Sequence, residues 1–351
     1  MEIFALDASF NLATAKIPYT NLQWNRRYYE CGTFEVEVPA SAVSVRNWEY
    51  ILSHDRPEVG IVQKIQYQNK AGKRMFLVSG FFAESKLNQI VTFPRFICDL
   101  SHTEDAIERL FTNYGIAAKK GISWRSSGKH LGNRTECDFE GEKIGDKMFS
   151  ILQTRGMSLR VEIDETLSKL SAHVWHGLDR TQEQNVNPWA VFAGSFGNME
   201  NETINFDASG QANFCYVTAN DGAVAFTVDH SNGGERFETI LEKNGSQPEE
   251  SQTLTEFKAA LKQEAEEKLQ DMRPVIEIDV DAVVVDSEDG DGYLSSYDLG
   301  DLVTVLIEET GVELATRIVE VNEVFKAGGH TVQLGFGTKR ITNIKRAVRG
   351  I

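Results

Sequence analysis

The sequence predicts an α+β, β-rich protein in which two antiparallel β-barrel-like domains flank an inserted α+β domain. Three observations carry that prediction. Short alternating runs joined by polar turns occupy both ends of the chain. Helical spacing is confined to the middle and to one later segment. Hydrophobic residues at 41% and charged residues at 25% suit a folded chain rather than a disordered one, and 351 residues leave room for two or three domains.

The elements follow in order. Ile3-Phe4-Ala5-Leu6 and Leu12–Ile17 flank the polar turn Asp7-Ala8-Ser9-Phe10-Asn11 and predict a hairpin. Thr33–Val38 alternates strictly and stops at Pro39, which cannot continue a ladder. Gly60–Tyr67 and Arg74–Val78 flank Asn69-Lys70-Ala71-Gly72-Lys73, a second hairpin. Ser101 with Glu104 has the form of a capping box, and Ile107, Leu110, Phe111 and Tyr114 continue at helical spacing to Gly115. Ile144, Met148, Ile151 and Leu152 make a second helical stripe that ends at Gly156. Ser158–Ile163 and Leu167–Val174 then form a hairpin around Asp164-Glu165-Thr166. A third helix starts at the box Thr253/Glu256 and runs to Arg273-Pro274. Strands resume over Val275–Val285, Asp301–Glu308, Val312–Val324 and Thr331–Phe336. The expected division is a β-barrel-like domain over 1–98, an inserted α+β domain over 99–205, a second β-barrel-like domain over 206–336 with its leading helix at 253–273, and a basic tail over 337–351.

Charge narrows the function. With 36 Lys+Arg against 52 Asp+Glu the net charge is −16, a poor match to phosphate backbones or anionic membranes. No stretch approaches the ~18–20 apolar residues of a membrane span, and Glu2 stands where a signal peptide carries bases. Cys31, Cys98, Cys137 and Cys215 lie far apart without a CxxC pair, the usage of a protein folded in a reducing cytosol. From Pro274 to Thr316 there are twelve acids and no Lys or Arg, whereas 337–351 hold five bases and no acid. Such asymmetry fits contacts between subunits or with a partner, or simply a solvated acidic surface with a frayed terminus.

Motifs for chemistry fail one by one. The run from Asp286 to Gly292 resembles a calcium loop, but counted from Asp286 the EF-hand template meets Gly290 at position 5, Asp291 at 6 and Tyr297 at 12. His173 and His176, three apart on an expected strand, point to opposite faces. The other histidines, His54, His102, His130, His230 and His330, neighbour no catalytic pattern. Gly335-Phe-Gly337-Thr338-Lys339 lacks the spacing of a phosphate loop. No catalytic residue, cofactor or metal ligand is expected.

A family resemblance supplies what the motifs do not. Trp24-Asn-Arg-Arg-Tyr28-Tyr29-Glu-Cys-Gly32-Thr-Phe34-Glu-Val36-Glu-Val38-Pro39, following Asp7-Ala-Ser-Phe-Asn, resembles the start of siphophage tail proteins of the ReqiPepy type. Gly60-Ile-Val-Gln-Lys-Ile, Leu77-Val-Ser-Gly80, Val191-Phe-Ala-Gly-Ser-Phe-Gly197, Asn213-Phe-Cys-Tyr-Val217, Tyr297-Asp-Leu-Gly300-Asp301, Arg317-Ile-Val-Glu-Val and Val332-Gln-Leu-Gly-Phe-Gly337 continue it in order. The resemblance implies a structural, non-enzymatic baseplate-hub-like protein of a phage, prophage or phage-derived particle. It would be assembled in the host cytoplasm as a homotrimer that adapts a six-fold tail tube to a three-fold tip. Its implied partners are the distal tail or tail tube protein, the tape-measure protein and a tip, fibre or spike protein. DNA would pass through its channel without specific binding.

Part of the family carries a C-terminal hydrolase or fibre-binding region; the chain ends at Ile351, just past the last expected strand, so no hydrolase role is expected. Glu277, Asp279, Asp281, Asp286, Glu288, Asp289, Asp291, Asp298 and Asp301 are the candidates for an acidic channel wall. Ile341, Ile344 and Val348 recur at helical spacing up to Ile351, and with Lys345, Arg346 and Arg349 they form a candidate docking segment. The alternatives are a tail-tip cell-wall or glycan hydrolase and a carbohydrate-binding adhesin using Trp24, Trp48, Trp124, Trp175 and Trp189. The tryptophans are read first as core aromatics.

Overall fold

The computed structural model describes residues 1–70, 72–164, 166–248, 252–282, 292–308, 312–327, 329–337 and 339–340. Strands β1 (Ile3–Leu6), β2 (Leu12–Thr14), β3 (Asn21–Arg27), β4 (Thr33–Pro39), β5 (Tyr50–Ser53), β6 (Gly60–Lys70) and β7 (Lys73–Phe82) come first. A 3-10 helix over Ala83–Gln89 leads to β8 (Phe96–Leu100), α1 (Thr103–Asn113), α2 (Ile116–Lys120), β9 (Ile122–Trp124), β10 (Thr135–Phe139), α3 (Ile144–Gln153), β11 (Ser158–Ile163) and β12 (Leu170–Trp175). Then follow β13 (Val191–Ala193), β14 (Met199–Asp207), β15 (Phe214–Ala219), β16 (Val224–Asp229), β17 (Glu238–Lys243) and α4 (Leu254–Asp271). The last are β18 (Val275–Ala282), β19 (Leu302–Ile307), β20 (Val312–Lys326), β21 (Gly329–Phe336) and β22 (Lys339–Arg340).

The chain forms two compact units. The first comprises Met1–Glu200, Val280–Val305 and Arg317–Phe336. Its sheet runs in the order β21-β20-β3-β4-β7-β6-β5-β1-β2. This path is open, so among the described residues the strand-rich character is present without a closed barrel. The expected boundary at 98/99 falls inside this unit. Strands β20 and β21, expected in a separate domain, join the sheet of the first seven strands, with Val321 opposite Arg26 and Glu323 opposite Trp24.

Two cores pack on the N-terminal strands. Ile3, Ala5 and Ile51 join Trp24, Phe34, Val36, Val78 and Phe82 in one. Phe4, Leu6, Tyr50 and Leu52 join Ile107 and Leu110 of α1, Met148 and Leu152 of α3, and Leu159 and Val161 of β11 in the other. Period-two alternation explains this, because successive residues of β1 enter opposite cores and all four are buried. Close approach fixes one glycine in this sheet. A Cβ on Gly80 would lie 1.8 Å from the Ile61 carbonyl oxygen.

The two expected capping boxes have different fates. At α4 the Thr253 side chain accepts from the Glu256 N–H and the Glu256 carboxylate accepts from the Thr253 N–H, as the spacing predicts. At α1 the N-cap is His102 and no side-chain cap bond forms. The Glu104 carboxylate is engaged elsewhere, accepting from the Ser127 N–H at 2.6 Å and the Leu131 N–H at 2.9 Å. Cys98 and Cys137, far apart in sequence, oppose each other across β8 and β10 without forming a disulfide.

The second unit comprises Asn201–Asp279, Leu306–Thr316 and the described residues after Phe336. Its β16-β15-β17 sheet contains a parallel pair, β15 with β17, where only antiparallel pairing was expected. Helix α4 covers this sheet, packing Phe257, Leu261, Ala265 and Leu269 on Cys215, Val217 and Val224.

A charged network lies inside the first unit. The Arg26 side chain has no exposed surface. It donates to the Glu58 carboxylate at 2.8 Å, to Asp298 at 2.5 Å and to the Tyr293 hydroxyl at 2.8 Å. The Tyr293 hydroxyl in turn donates to Glu323 at 2.9 Å. Arg56 closes the chain with two bonds to Glu323, at 2.8 and 2.5 Å. Burial alone would raise the Glu323 carboxyl, but the bonds from Arg56 and His330 and the charges of Arg56 and Arg26 outweigh it and hold it at about 2.

Removing one partner of such a network leaves a buried charge without compensation, which costs roughly 3–5 kcal/mol. Arg26→Met, which keeps an apolar stem but strips the charge from between Glu58 and Asp298, is expected to lower the unfolding free energy by about that amount. Urea denaturation with an unchanged m-value checks it. A loss below about 1 kcal/mol would show that the desolvation penalty cancels the pairing.

Candidate functional site

The nominated residues separate by position. Ile341, Ile344, Lys345, Arg346, Val348 and Arg349 lie outside the described residues, as do Asp286, Glu288, Asp289 and Asp291. Glu277, Asp279 and Asp281 occupy alternate positions of β18. Asp298 and Asp301 use their carboxylates within the fold. Asp298 pairs with Arg26, while the buried Asp301 accepts from the Leu178 N–H and the Arg180 guanidinium, each at 2.7 Å.

The sequence motifs converge on one region of the first unit. Arg26 belongs to the Trp24–Pro39 motif and its partner Asp298 to the Tyr297–Asp301 motif, 272 residues further on. Gly300 has φ +88°, and a Cβ there would lie 2.5 Å from the Tyr28 ring. Gly177 is equally constrained, since a Cβ would lie 2.1 Å from the Gly300 backbone. The Tyr28 ring also meets Trp175 edge-on at 4.9 Å between centroids. These glycines and aromatics are therefore packing requirements of a crowded junction.

Beside it is a cavity of about 10 Å³ lined by Glu58, Glu84, Arg160 and Trp175, among others. That is room for about one water molecule. Glu58 Oε2, Arg160 Nη2 and Trp175 Nε1 are buried with no hydrogen-bond partner among the described residues. Glu84 accepts from the Val161 N–H at 2.8 Å. Burial pushes its carboxyl up to about 7, with the Glu58 charge adding to the rise and the Val161 bond and Arg160 opposing it.

The exposed features are of another kind. Leu178, Val186, Trp189 and Phe196 are large, exposed apolar side chains in one stretch of the first unit, Val186 being 89% exposed. Leu178 also lines an open depression of about 340 Å³, together with His176, Asp179, Asn187, Leu302 and Arg317. Exposed apolar groups mark a protein–protein contact surface where they form one contiguous patch. Of the five tryptophans, Trp24 and Trp48 are core residues, Trp124 and Trp175 are half-buried, and only Trp189 is exposed.

Comparison with known proteins follows this geometry. The family described as Siphovirus ReqiPepy6 Gp37-like protein matches residues 118–338. A tail protein of Neisseria meningitidis MC58 is similar in fold, with 15% identity, a TM-score of 0.59 and 96% of each chain covered. The 43 kDa tail protein of prophage MuSo2 from Shewanella oneidensis is similar at 14% identity and a TM-score of 0.59, covering 96% of this chain and 98% of that one. Prophage tail protein gp18 of Listeria monocytogenes EGD-e is similar at 12% identity and a TM-score of 0.55, covering 99% and 98%. No curated protein matches the sequence.

The buried Glu84 generates a pH dependence. Its carboxyl titrates near 7 in the fold against 4.5 ordinarily, so the folded state holds a proton that the unfolded state releases. Stability is accordingly lost as pH rises from about 4.5 to about 7, by up to roughly 3 kcal/mol at 1.36 kcal/mol per unit. Glu84→Gln keeps an acceptor for Val161 without the ionisation. Its stability advantage over the parent chain is expected to grow between pH 5 and pH 8. A difference that stays flat across that range would contradict the assignment.

Proposed function

The chain belongs to the Siphovirus ReqiPepy6 Gp37-like family of phage tail proteins, and from that premise we propose that it is the hub of a phage or prophage tail. The observation that carries this reading is the family match, supported by a fold likeness to other tail proteins that extends over nearly the whole chain. Three copies would form a ring. Two β-rich, barrel-like modules in each copy would offer six comparable positions to a six-fold tube, while the opposite face keeps three-fold symmetry for a tip, fibre or spike protein. The distal tail or tail tube protein and the tape-measure protein are the neighbours this arrangement requires. Its role is architectural rather than catalytic.

Each part of the surface has an assigned task in this reading. The apolar side chains from Leu178 to Phe196 and the depression that Leu178 lines meet a neighbouring copy. Three chains at −16 each bring a formal −48 to the ring. Glu277, Asp279, Asp281, Asp286, Glu288, Asp289 and Asp291 would face the channel, where negative charge lets DNA pass without adhering. Asp298 and Asp301 stay within the fold as structural ion pairs. The apolar stripe of Ile341, Ile344 and Val348 docks on a neighbour, and Lys345, Arg346 and Arg349 meet acids there, which improves orientation and on-rate more than affinity.

Light scattering coupled to size-exclusion chromatography tests the ring. The expected mass is about three times 39.3 kDa. Deleting Thr342–Ile351 should leave the subunit folded but shift the population toward monomer, most at low salt, where charge attraction is least screened. A monomer at every concentration would contradict the ring. An undiminished trimer from the truncated chain at all ionic strengths would remove the tail from the account.

A further inference from the structure

We propose that His102, Asp105 and His130 form a binding site for a divalent first-row transition-metal ion, with zinc the natural occupant. The ligand atoms of the three side chains all lie within 4.8 Å of one another. His130 Nδ1 is 2.8 Å from one Asp105 carboxylate oxygen, and His102 Nδ1 is 3.4 Å from the other. Zinc bonds of about 2.0–2.2 Å set tetrahedral ligand atoms roughly 3–3.5 Å apart, so small rotations of exposed side chains complete the geometry. Two imidazoles with one carboxylate suit zinc, nickel, copper or iron and are poorly suited to calcium or magnesium.

The backbone holds this cluster together. His102 is the N-cap of α1 and Asp105 lies three residues on, a spacing that brings both to one side of the first turn. His130 arrives from a loop that is fastened to the same turn. Glu104 accepts from the Ser127 N–H at 2.6 Å, the Ser127 hydroxyl at 2.5 Å and the Leu131 N–H at 2.9 Å, and its own N–H donates to the Leu131 carbonyl at 3.0 Å. Thr103 adds a bond to the Asn133 carbonyl at 3.1 Å. His130 itself has φ +51°, a left-handed conformation uncommon for a residue other than glycine.

The surroundings favour a cation. The helix N-terminus opposes one, but Glu104 and Glu108 add negative charge to that of Asp105 around His130. His102 and His130 are 41% and 63% exposed along their side chains, so the remaining coordination positions are open to water. Three protein ligands with an open position are the arrangement of an exchangeable or reactive ion rather than a closed structural one. The competing account is a purely ionic cluster, in which Asp105 pairs with a protonated imidazole and no metal binds with preference.

Calorimetric titration of the untagged full chain with zinc chloride at pH 7.5 separates the two. The expected result is one zinc ion per chain. Affinity should fall by at least about tenfold in each of His102→Ala, Asp105→Asn and His130→Asn, since even outer-shell changes cost about that much. Asparagine is chosen at 130 because it tolerates a left-handed φ. Cobalt(II) should show visible absorption in the parent chain that is lost in the His102→Ala/His130→Asn double variant, with unchanged far-ultraviolet circular dichroism confirming the fold. Equal zinc affinity in the parent and the double variant would overturn the proposal, and so would undiminished binding when all three residues are replaced.

Discussion

A guanidinium with no exposed surface has to be surrounded by acceptors, and at Arg26 that requirement governs the first unit. Its partners come from 32 and 272 residues away along the chain. Bringing Asp298 to Arg26 carries the segment 292–301 with it, which delivers Tyr293 to Glu323 and Asp301 to Arg180. Glu323 in turn fixes β20 beside β3, where the ladder pairs Glu323 with Trp24 and Val321 with Arg26. A single slip of that register would carry Glu323 to the other face of the sheet and strand Arg56. Apolar packing is non-directional, whereas each buried charge here requires a particular partner.

Much of the fold was legible because local patterns and tertiary demands agree. Thr33–Val38 alternates in sequence and alternates between buried and half-buried in the structure. The Thr253/Glu256 box starts a helix with both of its reciprocal bonds formed. Ser101/Glu104 has the same spacing and fails, because the Glu104 carboxylate serves the 126–131 loop. That competition arises between segments more than twenty residues apart, and no window of sequence contains it. Strand β17 escaped for a related reason. β17 alternates only between exposed and half-buried positions and joins β15 in parallel, so it carries little hydrophobic signal.

The site residues show the same division. Charge counting identified the acid-rich stretch from Pro274 to Thr316, but it could not distinguish Asp298 and Asp301, committed to Arg26 and Arg180, from the rest. The histidines looked isolated because His102 and His130 are 28 positions apart, and only the fastened loop brings them to the same carboxylate. Arg26 and Arg56 drew no attention as single basic residues, since burial of a charge is a property of the fold. The family motifs were the strongest sequence signal because they record the outcome of that packing. Arg26, Tyr28, Asp298 and Gly300 are motif residues that lie in or beside one junction.

In the proposed hub, this network would supply the fixed shape with which each subunit meets a six-fold tube and a three-fold tip. Electron cryomicroscopy of intact tails containing this chain tests the hub reading most directly. The account predicts three copies as a closed ring at the distal end of the tube, with a bore wide enough for DNA and the acids from Glu277 to Asp291 on its wall. Six copies stacked along the tube, single copies at a fibre, or a bore lined by basic residues would contradict it.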